Sequence, residues 1–86
     1  MRKYLVKKTL TAKENHPWCP GDVQVYVYGT GEKSVPIEWI NTRWFKEMGW
    51  GRKHFAQHFI DKDIAFYNTH DLRYWDMSYE IMEVEI

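Results

Sequence analysis

His54 and His58 stand four residues apart, and His16 and Cys19 three apart. On a helix the first pair shares one face. Imidazole nitrogens and a thiolate are the donors a tetrahedral zinc ion takes, so the four together would make a His₃Cys set. Two facts weigh against it. The run His16-Pro17-Trp18-Cys19 is not a ligand spacing, and a chain with four histidines readily holds one such pair. We expect no metal and no cofactor, and keep a small zinc-binding domain as the last of three readings.

Catalytic sets are equally sparse. His70-Asp71 and Asp61 with Asp63 are the available acid–base pairs, but convergence, not adjacency, is what proton transfer needs. Trp18-Cys19-Pro20-Gly21 has the outward form of a redox turn. A reactive thiolate there would want a helix after the cysteine, and a strand pattern follows instead. Gly29-Thr30-Gly31 leads into a strand rather than a helix, so it is no phosphate cradle, and no serine sits in a nucleophile elbow. The chain reads as a non-enzyme.

The densest segment is 39–60, with three of the five tryptophans, three of the four phenylalanines and two of the four histidines. Arg43, Lys46, Trp50, Arg52, Lys53 and His54 form a basic cluster with a ring inside it. Cations on phosphates and a ring on a base is how single strands are held. The sequence pI of about 6.9 and the lack of a named motif make nucleic acid the second reading. Protein interfaces are anchored by Trp, Tyr and Arg. Arg43, Trp44, Trp50 and Arg52 are therefore the first candidate contact surface, and Tyr26 with Tyr28 the second. Trp44 fits a core stripe equally well, whereas Trp50, between two glycines, is expected to be exposed.

The elements that position these residues follow from pattern. Residues 2–11 lack helical spacing and read as a strand; Tyr4, Val6 and Leu10 share one side, Leu5, Lys7 and Thr9 the other. Residues 13–22 hold two prolines and a Pro-Gly step and form a loop, with Trp18 expected to plug one end of the core. Val23 to Tyr28 alternates cleanly, valines inward and Gln24, Tyr26 and Tyr28 on the other side. A glycine turn follows, and 34–40 fits either a short edge strand that tolerates Pro36, the favoured reading, or a helix that Pro36 starts. Asn41 or Thr42 caps a helix over 42–48 that Gly49 ends. A second helix covers 52–62, with a boundary at Asp61-Lys62-Asp63. Residues 68–73 are a polar loop. Trp75 to Ile86 is a strand whose apolar phase flips at Met82, by a bulge near 81–82 or by burial on both sides.

The fold class is α+β: one domain over 1–86, an antiparallel sheet of three or four strands with two short helices packed on one face, and the terminal strands as neighbours. In 86 residues the core is thin. With 17% aromatic residues, rings must spill outward. Residues 1–54 carry ten basic and five acidic side chains, and 55–86 two and seven. Paired terminal strands would cancel that asymmetry through Lys3, Lys7 and Lys8 against Glu80, Glu83 and Glu85. Zero net charge favours self-association. A single cysteine excludes an internal disulfide, the charged start lacks a leader's apolar run, and no stretch nears about 18 apolar residues. The leading expectation is a small cytoplasmic protein-interaction module, open to forming a homo-oligomer, with an unknown protein partner and no membrane contact.

Overall fold

The computed structural model describes residues 1–68 and 73–85. Four strands, β1 (Arg2–Ala12), β2 (Val23–Tyr28), β3 (Ser34–Pro36) and β4 (Trp75–Glu85), form an antiparallel sheet in the order β3-β2-β1-β4. Two helices, α1 (Thr42–Met48) and α2 (Lys53–Asn68), complete the α+β architecture. The terminal strands are neighbours along their full length, from Arg2 opposite Glu85 to Ala12 opposite Trp75. The expected polar loop and its His70-Asp71 pair lie outside the described residues, apart from its ends.

Alternation sets Tyr4, Val6, Lys8, Leu10 and Ala12 on one surface of β1. Level with them are Tyr28, Tyr26 and Gln24 on β2, and Ile81, Tyr79, Met77 and Trp75 on β4. Helix α2 covers this surface. Val6, Ala56, Phe59 and Ile60 form its buried centre, with Tyr4, Tyr28, Trp50, Tyr79 and Ile81 packed round them. Leu5 and Val27, on the other surface, are also fully buried. Helix α1 packs against β1 too, and a Cβ on Gly49 at its end would come 2.7 Å from both the Lys3 Cβ and the Phe45 carbonyl oxygen.

The local signals explain α1. Asn41 caps it, its side-chain oxygen accepting the Trp44 N–H at 2.9 Å. Gly49 ends it in extended backbone, φ −66°, so a small residue is required there by the close approach to Lys3, not by a left-handed turn. The positive φ of the glycine turn falls on Gly31, at 73°.

Five expectations are corrected. Helix α2 does not stop at Asp61-Lys62-Asp63 but runs to Asn68. The charges there are absorbed sideways: Asp61 accepts from Gln57 one turn back, and Asp63 turns inward to Lys8. The segment 34–40 divides into β3 and a 3₁₀ turn over Ile37–Trp39, because Pro36 starts the turn as readily as it ends the strand. The β1–β4 register runs unbroken through 81–82, so there is no bulge; Ile81 lies level with Val6 and Met82 with Leu5, and both sides of β4 carry apolar residues. Trp18 does not plug the core; it stands 87% exposed.

Trp50 is the fifth. It makes a two-hydrogen-bond bridge to Tyr4, N–O 2.9 and 2.8 Å, on the side of β1 where β2 has already run out. The residue between the two glycines is thus a one-residue strand, and its ring packs on Phe59 with centroids 5.6 Å apart. Trp50 is half-buried rather than exposed.

Charge does cancel between the terminal strands, but of the three lysines expected to do it only Lys7 meets its glutamate; Lys8 turns to Asp63 on α2, and Arg2 takes the other two glutamates. Arg2 bridges Glu83 and Glu85 at 3.0 and 3.1 Å, Lys7 reaches Glu80 at 3.7 Å and Lys13 reaches Asp76 at 3.8 Å. Among the described residues no helix is long and apolar enough to cross a membrane.

Candidate functional site

Helix α2 presents two neighbouring stripes to the sheet. One runs Ala56, Ile60, Asp63, Tyr67; the other runs Phe55, Phe59, Lys62, Phe66. Each has the i, i+4, i+7, i+11 spacing that stacks side chains on one line.

The first stripe ends on an ion pair inside the fold. Lys8, only 2% exposed, extends from β1 to Asp63, Nζ to Oδ2 2.8 Å. Its ammonium lies 4.3 Å from the Tyr67 ring centroid and 5.7 Å from those of Tyr28 and Tyr79. Ring faces are negative, so three of them stabilise a cation withdrawn from water. The Tyr79 hydroxyl donates to the same Asp63 oxygen. Burial first, and that hydrogen bond second, hold the Tyr79 phenol well above its ordinary value of 10.0. The carboxylate therefore has a charge partner and a second donor, which a buried ion needs.

The second stripe is open. Phe59 is buried, with Tyr28 and Trp50 on either side at centroid separations of 5.0 and 5.6 Å. Phe55 and Phe66, one turn before it and two after, stand 50% and 55% exposed. Two hollows lie along this line. One, of about 260 Å³, is walled by Tyr28, Phe59, Phe66 and Tyr67, with Lys62 and Asp63. The other, of about 150 Å³, lies between Trp50, Phe55, His58, Phe59, Lys62 and Gly31. Phe59 and Lys62 border both. Broader, shallower depressions beside β4 and at the start of β2 each hold a single ring, Tyr79 and Tyr26.

The sequence-derived candidates divide between these places. Tyr28 and Trp50 wall the groove. Tyr26 faces the same surface of the sheet further along β2, opposite Pro36. Arg52 is exposed just before α2. Trp44 is half-buried on α1, and Arg43 is tied to Glu47 at 3.0 Å. In the nucleic-acid set, Lys46, Arg52, Lys53 and His54 are exposed, while the Trp50 ring they would share is turned toward Phe59. In the zinc set, His16 and Cys19 do meet, Sγ to Nδ1 3.4 Å. That nitrogen also accepts the backbone N–H groups of Trp18 and Cys19, at 3.2 and 3.1 Å. Among the described residues no group of three or more metal-ligating side chains converges.

Sequence reasoning missed Phe55, Lys62 and Phe66 as a surface and Lys8–Asp63 as a pair. Both had a signal. The phenylalanine spacing continues if the helix is carried past 63. Lys8 interrupts the otherwise apolar row Tyr4, Val6, Leu10, where a charge demands a partner.

Compared with known proteins, the chain matches no protein-family model, no curated protein and no solved structure.

Proposed function

We propose that this protein is a non-catalytic interaction module that holds a segment of a partner protein in the aromatic groove between α2 and β2. One observation carries the reading: Phe55 and Phe66 continue the line of the buried Phe59 yet stand half in solvent, with Tyr28, Trp50 and Tyr67 walling the space between. Exposed rings in one contiguous strip mark a contact surface where scattered ones do not. The hollows, at about 260 and 150 Å³, fall below the ~300–1,000 Å³ of a site for a whole small molecule. They suit individual side chains, and rigid aromatic walls are what such anchors bind.

Photocrosslinking tests it. Benzoylphenylalanine in place of Phe66 or Phe55 should yield a discrete adduct with one other polypeptide in the producing cell. The same probe at Glu14, exposed in the loop after β1, should yield none. Adducts arising at Trp18 or Trp39 and not at Phe66 would move the interface and refute the groove. Trp39 is the alternative site to exclude, being 70% exposed next to exposed Ile37.

A further inference from the structure

The two edges of the sheet are built differently. On one side it ends in β3, three residues long and closed by Pro36, which has no N–H to offer. On the other it ends in β4, eleven residues long, and among the described residues no strand lies beyond it. Proteins blunt sheet edges with short strands, proline, lysine or a bulge. β3 has the first two of these. β4 contains neither lysine nor proline, and its register with β1 is unbroken. We infer that this edge is a self-association surface: β4 pairs antiparallel with β4 of a second copy, joining two sheets into one across a two-fold axis. The surface is separate from the groove and does not depend on it.

The edge has a defined row of backbone groups to offer. Tyr4 bonds Trp50 through both its N–H and its C=O, and Ala12 bonds Asp22 and Gly21, all on the β2 side, whereas Lys13 donates to Tyr74. By alternation the odd-numbered residues of β1 bond β4, and the even-numbered residues of β4 bond β1. The N–H and C=O groups of Trp75, Met77, Tyr79, Ile81 and Glu83 therefore point away from the sheet, in a row about 27 Å long.

Charge selects a second copy as the occupant. Each of the four carboxylates on β4 already has a cation of the same chain: Asp76 has Lys13, Glu80 has Lys7, and Glu83 and Glu85 share Arg2. A basic strand, the complement of a bare acidic edge, finds those acids taken. Two copies of this edge meet without uncompensated charge, and the chain as a whole has no net charge to keep them apart.

The register follows from the same charges. Outward groups sit on odd residues, so a two-fold pairing sets odd against odd. Centring on Ser78 places Asp76 against Glu80, and centring on Glu80 places that residue against itself; like charges directly opposite are unfavourable. Centring on Ile81 sets Met77 and Tyr79 level with glutamates. Centring on Tyr79 sets Met77 level with Ile81, Ser78 with Glu80 and Asp76 with Met82, so no carboxylate faces another. This register also lays Met77 and Ile81 of the second copy beside the depression between α2 and β4, and so covers Ile64, which stands 40% exposed at its rim.

Sedimentation equilibrium of the whole chain should show a monomer–dimer equilibrium, and amide exchange followed by NMR at low and high protein concentration locates the contact. The amides of Met77, Tyr79 and Ile81 should exchange about tenfold or more slowly where the dimer dominates, while those of Ser78, Glu80 and Met82, bonded to β1 in either state, should change far less. Met77→Pro removes an outward donor and no bond to β1, so circular dichroism should show the native fold. Its dimer should be about tenfold or more weaker, because the two-fold counts the loss twice. Glu83→Pro makes the same change at an exposed residue nearer the strand end and should weaken the dimer in the same direction. A chain that stays monomeric at every concentration would overturn the inference, as would a dimer whose odd-numbered β4 amides exchange as they do in the monomer. A dimer kept in both proline variants but lost in the Phe55→Ser, Phe66→Ser double variant would overturn it too, and would assign self-association to the groove.

Discussion

The two stripes of α2 invert the usual sorting of residues. The one facing β1 takes a lysine–aspartate pair into the interior, and the one facing β2 leaves phenylalanines in water. The difference lies in what each stripe meets. Asp63 meets a strand residue of opposite charge surrounded by three tyrosines, so desolvation is offset on the spot. Phe55 and Phe66 lie on the stripe at the margin of the packed surface, where they touch the rings of His54 and Tyr67 and stay half in solvent. One helix is thus both the lid of the core and the wall of a groove. Tyr28 and Tyr67 serve both, facing the Lys8 ammonium and walling the groove.

The comparison breaks first at Asp63. Asp63→Ala leaves Lys8 charged and sealed, a change that costs about 3–5 kcal/mol. In a domain this size that is most of the stability, so urea denaturation should show a largely unfolded chain. Lys8→Met with Asp63→Leu removes both charges and should restore cooperative unfolding close to the original midpoint. If the double variant is as unstable as the single one, the pair is not an isolated balance of charge.

Next is Gly49→Ala. Its Cβ would press on the Lys3 Cβ and the Phe45 carbonyl oxygen, both at 2.7 Å, so α1 must shift; overpacking of this kind costs about 1–3 kcal/mol. A thermal melt reads it. An unshifted midpoint would mean that α1 is loosely held and contributes little to the Trp50 wall.

Alkali probes the Tyr79 end. The unfolded chain ionises a tyrosine near pH 10, whereas native Tyr79 resists ionisation. Its contribution to stability is present in full below that pH and is lost as pH rises above it. Tyr79→Phe should therefore flatten the fall of the denaturation midpoint between pH 9 and 11. Parallel curves for the two proteins would remove Tyr79 from the account.

Smallest is the open stripe. Phe55→Ser and Phe66→Ser should each change stability by only about 0.5 kcal/mol or less, as substitutions at exposed positions do. A loss several times larger would show these rings to be structural and would erase the contrast between the two stripes.

Much of this fold was legible beforehand, for local reasons. The alternation of Val23 to Tyr28, the cap at Asn41 and the stop at Gly49 are written in a few adjacent residues, and β2 and α1 fall where those marks put them. The basic–aromatic segment 43–54 was legible as composition but not as a surface. Whether Trp50 points out or in depends on Tyr4, 46 positions away, offering both its N–H and its C=O. The end of α2 was misplaced because Asp61-Lys62-Asp63 looks like a boundary until Asp63 has Lys8 to face.

The amino-acid order alone determined the α+β class, the meeting of the terminal strands and the overflow of rings from so small a core. These follow from period, capping and the ratio of ring area to volume, all of which are local or summed quantities. Only the tertiary structure decided which rings overflow and which charge is swallowed. Both depend on pairings across 46 to 55 residues, and a buried ion or a bared ring is set by the partner it finds across the fold, not by its neighbours along the chain.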